Sequence, residues 1–231
     1  MSSLQTALYG AELLDDARAA PDLVRVSLRN IARANRWLGG AAAVRFGLRR
    51  ATAEQPSGST LTLLDVGTGL GDLPMMAARW AARRGIRMRP VGLEQHPAAA
   101  AAARENGVTA VVGDGADLPF RNGSIDLVLL SQVAHHFAPG AIVSLLRECA
   151  RVARHAVIVA DLRRSALAAA GFSVLGRLLR FDRHTLEDGL TSLHRGFTPR
   201  TLGALLADAG LAAPVARRPG ARLVAVARVS G

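Results

Sequence analysis

Residues 63–74, LLDVGTGLGDLP, restrict the fold more than any other stretch of this chain. An apolar run, TLTLLDV (60–66), reads as a buried strand and passes directly into glycines at 67, 69 and 71. A helical pattern, GDLPMMAARWAARRG, follows and ends at Gly85. Gly67 permits a tight turn, and Gly69 and Gly71 let a ligand approach the backbone without meeting a Cβ. Further strand patterns at 88–94, 108–114, 124–131, 155–161 and 221–229 alternate with helical ones at 97–107, 139–153, 165–182 and 198–210. That alternation predicts parallel β-α units and a doubly wound α/β sheet. In such sheets ligands bind beyond the carboxyl ends of the strands, near the first strand's turn.

Two phosphate-binding readings of the turn fail. A dinucleotide fingerprint, G-x-G-x-x-G counted from Gly67, needs its third glycine where Asp72 stands. A Walker loop needs a lysine, and the chain has none: all 29 basic residues are arginine. The carboxylates of Asp65 and Asp72 flank the turn and suit a cationic ligand better than a pyrophosphate. S-adenosyl-L-methionine, with a sulfonium, an amino group and no phosphate, meets that requirement. Glu94 ends the second strand pattern, where a carboxylate can accept bonds from both ribose hydroxyls. Asp114 follows the third, within reach of an adenine amino group.

LLDVGTGLGDLP, VGLEQHP, GDGADLPF and SIDLVLLSQVAHHF together resemble the class I S-adenosylmethionine-dependent methyltransferases, in particular the ubiquinone/menaquinone-type methyltransferase-domain group. The motifs span roughly 60–161, and helix and strand order carry the likeness further. The resemblance implies a Rossmann-like, seven-stranded, mostly parallel sheet with one antiparallel strand. It implies cofactor contacts by Asp65, Gly67, Thr68, Gly69, Gly71 and Asp72, by Glu94 and Gln95, by Asp114 and Gly115, and by Ser131 and Gln132. A weaker likeness, through SLRNIARANRWLGG, VADLRRS and HRGFTP, extends to small bacterial methyltransferases of polyketide or quinone-type biosynthesis.

His135 and His136 follow the fourth strand, beside the expected methyl position, and either can serve as general base for a phenol or enol. His136 takes precedence because the second position of the pair is the commoner histidine in the resembling family; packing of the loop is the alternative for both. Asp161, at the end of the fifth strand, can orient a histidine, bind substrate or cap the next helix. Arg163 and Arg164 can meet an acidic substrate, while His184, Asp188, His194 and Arg195 belong to a polar insertion of the kind that shapes an acceptor pocket. His96 and His155 read as structural, and no metal site is expected, because the one cysteine is isolated.

Residues 1–54 are expected to form an N-terminal helical lid and 55–231 the cofactor-binding domain. The helix predicted in PDLVRVSLRNIARANRWL places Leu23, Val26, Ile31, Ala34 and Leu38 on one stripe, with a break at Gly39–Gly40. Tyr9, Asn30, Asn35 and Trp37 stand in this region, Trp37 as a packing residue. A chain of 231 residues, half of them hydrophobic, can bury one sizeable core. The lone Cys149 excludes an internal disulfide, and no signal peptide or membrane span is evident, so a cytoplasmic monomer or homodimer is expected. The net charge of +11 is spread over every segment and resembles coding bias more than a nucleic-acid-binding face. The reaction expected is methyl transfer to a small-molecule acceptor, a phenolic, polyketide or quinone-like intermediate, at oxygen or carbon. The alternatives are an RNA or protein methyltransferase, or a natural-product enzyme that binds the cofactor without transferring methyl.

Overall fold

The computed structural model describes residues 19–229. Tyr9 and the beginning of the expected lid lie outside them. The chain opens with helices α1 (Pro21–Trp37) and α2 (Gly40–Ala51), then alternates β1 (Thr60–Val66), α3 (Asp72–Ala82), β2 (Arg87–Glu94), α4 (Pro97–Glu105), β3 (Thr109–Val112) and β4 (Ile125–Ser131). A short 3-10 turn (Ala134–His136) leads to α5 (Pro139–Val152) and β5 (Ala153–Leu162). Helices α6 (Ala166–Leu178), α7 (Arg183–Arg195) and α8 (Pro199–Asp208) precede β6 (Ala216–Arg218) and β7 (Arg222–Arg228).

The seven strands form one sheet in the order β3-β2-β1-β4-β5-β7-β6. Strands β1 to β5 pair in parallel, and β7 runs antiparallel to both β5 and β6. The order reverses at β1, so the carboxyl ends of β1, β2 and β4 share one edge and leave a crevice there. Side chains alternate between the faces. Leu64, Val66, Val128, Leu130, Val157 and Val159 meet Ile142, Leu146 and Cys149 of α5 and Leu202 and Leu206 of α8. Leu63, Leu127, Leu129, Ile158 and Ala160 meet Val44 and Leu48 of α2 and Ala77 and Ala81 of α3. Burial pushes the Cys149 thiol up to about 12, so it behaves as a small apolar residue.

Local packing departs from the sequence pattern in several places. Leu23 and Val26 of α1 are exposed, and the buried face runs through Val24, Ser27, Leu28, Asn30 and Asn35. That face lies over a polar cleft and a helix cap, so it carries hydrogen-bonding groups that an apolar stripe misses. Trp37 does not pack: it is 64% exposed, with the Arg36 guanidinium over its ring. The insertion at 183–195 is helix α7, with Thr185, Leu193 and Arg195 buried. The three-residue β6 is too short to show a period, and β3 ends at Val112, leaving Asp114 in the loop beyond it. Within residues 1–54, α2 packs on the sheet through Gly47 against Ile158.

Gly71 holds the left-handed φ of 74° that starts α3, and a Cβ there would collide with Val108. Gly71→Ala is therefore expected to destabilise the fold by about 2 kcal/mol, through backbone strain and overpacking together. Chemical denaturation followed by circular dichroism checks this, and an unchanged midpoint contradicts it.

Candidate active site

A cleft of about 810 Å³ opens at the carboxyl edge of β1, β2 and β4. The β1 turn contributes Asp65, Gly67, Thr68, Gly69 and Asp72 to its wall. The end of β2 adds Glu94 and Gln95, the loop after β3 adds Asp114 and Gly115, and the end of β4 adds Ser131, Gln132, His135 and His136. The topology thus gathers segments that are far apart in sequence. Two predicted residues stand outside this wall. Gly71 packs against Val108 and Ala103, and Asp161 lies fully buried behind His135.

The acids of the turn are held in different ways. Asp65 is buried: its Oδ2 accepts from the Thr68 hydroxyl at 3.1 Å, and its buried Oδ1 has no hydrogen-bond partner among the described residues. Burial pushes Asp65 well above the usual carboxylate range, against the pull of Thr68, and the charges of Asp72 and Glu94 add to the rise. Burial raises Asp72 as well, opposed by Asn35 and by the N–H groups at the start of α3. Glu94 accepts from the Gly69 N–H at 2.9 Å and from the Gln95 N–H at 3.1 Å, which ties the glycine turn to β2. Asp114 accepts from the Ala116 N–H at 2.9 Å and remains exposed. A Cβ on Gly67, whose φ is 72°, would strike Val133, so the turn and the β4 loop approach only with glycine there.

Behind the cleft, His135 Nδ1 lies 2.7 Å from Asp161 Oδ1. Asp161 also accepts from the Ala134 N–H at 3.0 Å and the Leu162 N–H at 2.6 Å. Burial alone would raise Asp161, yet the imidazole of His135 and the Leu162 amide hold it below the usual carboxylate range. An ionised carboxylate only accepts, so the proton of a neutral His135 sits on Nδ1. Its Nε2 is buried and unpartnered among the described residues, and the ring lines the cleft. His136, preferred at the sequence level, stacks on His135 with ring centroids 4.3 Å apart, whereas the carboxylate orients His135.

A polar relay closes the other wall. Arg222 Nη1 donates to Gln132 Oε1 at 2.7 Å, Gln132 Nε2 donates to Asn35 Oδ1, and Asn35 Nδ2 donates to Asp72 Oδ2 at 3.1 Å. A guanidinium only donates and a carboxylate only accepts, so both amides have a forced orientation. Gln132 holds a left-handed φ of 57° to reach both partners. Burial lowers Arg222 to about 10, and the charge of Asp161 opposes that shift. Arg222 was not legible in the sequence, because one arginine among 29 carries no signal. Asn30 donates instead to Asp182 and Thr185 of the α7 cap.

The remaining sequence candidates stand away from the wall. Arg164 Nε donates to the Gly196 carbonyl, and the Arg163 Nε is buried without a hydrogen-bond partner. His184 and His194 are exposed on α7, and Arg195 is buried. His96 accepts from the Ala98 N–H and caps α4, and His155 lies 3.6 Å from Asp126. From α7 it is Ser192 that reaches the cleft, a residue absent from the sequence candidates. No group of three or more metal-ligating side chains occurs among the described residues.

Residues 64–160 match the family model described as a methyltransferase domain. That match and the sheet order support a class I S-adenosylmethionine-dependent methyltransferase. No curated protein sequence matches it significantly. Magnesium protoporphyrin IX methyltransferase from Synechocystis PCC 6803, solved with bound S-adenosylhomocysteine, is 17% identical at a TM-score of 0.56, over 83% of this chain and 84% of that one. TnmH is 25% identical at a TM-score of 0.64, over 97% of this chain and 63% of its own. The mitomycin 7-O-methyltransferase MmcR is 24% identical at 0.59, over 97% of this chain and 62% of its own.

The enzyme's cofactor is S-adenosylmethionine. The residues present fit it. The unpartnered Oδ1 of Asp65 awaits a donor or cation, the Gly67 and Gly69 backbone is open to close approach, and no phosphate-seeking cation lines the turn.

Two outcomes are expected. Cofactor affinity should rise with pH, starting in the usual carboxylate range and levelling off above the raised values of free Asp65 and Asp72. The sign follows because a bound cation favours the charged carboxylates, so binding releases protons. Calorimetry in buffers of different ionisation enthalpy counts those protons, and Asp65→Asn should weaken binding and flatten the profile. Separately, Asn35→Ala should remove both bonds between α1 and the cleft, worth about 1–3 kcal/mol. Hydrogen exchange should then accelerate in α1 while the amides of β1 and β4 keep their protection.

Proposed function

We propose that this methyltransferase acts on a small, largely apolar acceptor with a phenolic or enolic group, of the polyketide or quinone-like natural-product kind, and methylates it at oxygen or carbon. The observation that carries the reading is the buried Asp161–His135 pair, whose imidazole lines the cleft and whose Nε2 has no hydrogen-bond partner among the described residues. Leu28 and Ile31 of α1, with Val133, Phe137 and Leu145, supply apolar walls around it. The likeness in fold to mitomycin 7-O-methyltransferase is in keeping with such an acceptor.

S-adenosylmethionine supplies an electrophilic methyl group, so the protein's work is positioning and proton acceptance. His135 accepts the acceptor's proton at Nε2, and Asp161 holds the ring and stabilises the imidazolium that results. Asp65, Asp72 and Glu94 hold the cofactor's cationic and ribose ends, with Gly67, Thr68, Gly69 and Gln95 shaping the turn. Asp114 and Gly115 flank the adenine, and Ser131 and Gln132 border the methionine end. Helix α1 lies across the cleft and excludes water from the reacting atoms.

Mass spectrometry of turnover mixtures with phenolic and 1,3-dicarbonyl acceptors tests the reaction: a product heavier by one methyl supports it, and cofactor consumption without such a product sinks it. His135→Ala should lower turnover on the order of 10²–10⁴-fold while calorimetric affinity for S-adenosylhomocysteine persists. Asp161→Asn should lower it too, because an amide can donate to Nδ1 and hold the ring in the wrong tautomer. Parental turnover in both variants would remove the histidine from the mechanism.

A further inference from the structure

Helix α6 presents an apolar face that no other described residue covers. Leu167 is 84% exposed, Leu178 73%, Val174 59% and Leu175 45%. Positions 167, 174 and 178 fall along one line of an α-helix. Gly171 lies beside that line, and an added Cβ there would meet nothing. The opposite face already holds the helix in place: Phe172 sits against Gly189 of α7, and Leu186 of α7 sits against Gly176. The outer stripe is therefore not needed for the fold. Half of the exposed large hydrophobic residues among those described belong to this one helix, so scatter does not account for it.

Arginines border the stripe. Arg164, Arg177 and Arg180 are exposed, and no aspartate or glutamate occurs between Asp161 and Asp182. Arg183 follows, and the nearby acid Glu187 pairs with it at 2.7 Å. A helix with an apolar stripe and an arginine border lies flat in a lipid interface, its leucines among the acyl chains and its guanidinium groups at anionic headgroups. A second copy of the chain is a poorer occupant, because face-to-face pairing would bring the arginine borders together.

We propose that α6 docks this enzyme on the surface of an anionic lipid bilayer. Helix α7 packs directly beneath it and reaches the cleft with Ser192. Docking places that cleft beside a reservoir of bilayer-dissolved molecules, and this consequence for the acceptor rests on the methyl transfer proposed above. The docking itself does not.

Co-sedimentation of the full chain with phosphatidylcholine vesicles, with and without phosphatidylglycerol, tests it. The protein should sediment with the anionic vesicles only and be released by salt. Leu167→Glu with Leu178→Glu, and separately Arg177→Glu with Arg180→Glu, should each weaken sedimentation on the order of tenfold or more. Both double variants should keep the parental affinity for S-adenosylhomocysteine, which shows that the fold is intact. Three results would overturn the proposal: a parent that stays in solution with anionic vesicles, variants that sediment like the parent, or a solution dimer that Leu167→Glu with Leu178→Glu dissolves. Vesicle binding and methyl transfer are read separately, so the failure of one is distinguishable from the failure of the other.

Discussion

The buried carboxylate of Asp161 is the point on which the working edge of this molecule depends. It sits at the end of β5 with no solvent exposure and stays charged because the 3-10 turn after β4 brings His135 and an N–H to it. An unpaired charge in that position would cost several kcal/mol. The turn is therefore pinned to β5, and the histidine is pinned in one tautomer. The same carboxylate lies within the electrostatic reach of Arg222, whose guanidinium fixes Gln132, through it Asn35, and through that Asp72. One buried charge thus connects the β4 turn to the N-terminal helix and to the start of α3.

The opposite side of the cleft works by the reverse logic. Asp65 is buried with one oxygen unpartnered among the described residues, Asp72 is half-buried, and burial raises both. A site that keeps carboxylates short of partners favours a ligand that brings positive charge and donors with it. Asp161 is satisfied by the protein, whereas Asp65 is left for the cofactor. The two acids end neighbouring regions of the same sheet yet have opposite shifts, because one meets an imidazole and two backbone N–H groups and the other a single hydroxyl.

Helix α1 shows where periodicity misleads. A stripe through Leu23 and Val26 is apolar, but the helix buries Ser27, Asn30 and Asn35 and leaves those two residues in solvent. Its inner face overlies polar partners, the cap of α7 and the carboxylate of Asp72, so hydrogen bonding decides its orientation over hydropathy. Gly71 misleads in another way: it belongs to the glycine pattern but serves packing against Val108. Helix α7 was hidden because its sequence is polar, and only the Asp182 cap and the packing of α6 make its helical course evident.

The sequence alone determined the alternation of strands and helices, the glycine turn, the placement of Asp65 and Glu94 at strand ends, and that of Asp114 and His135–His136 in the segments that follow β3 and β4. These follow from local rules: hydropathy period, glycine at positive φ, and the connection that parallel strands require. Tertiary structure alone decided which histidine meets Asp161, that Arg222 is buried while its many siblings are solvated, and that Asn35 bridges Gln132 and Asp72. Those pairings join residues 26, 90, 97 and 37 positions apart, respectively. No local pattern encodes them, because each depends on the sheet order that brings β4, β5, β7 and α1 to one edge.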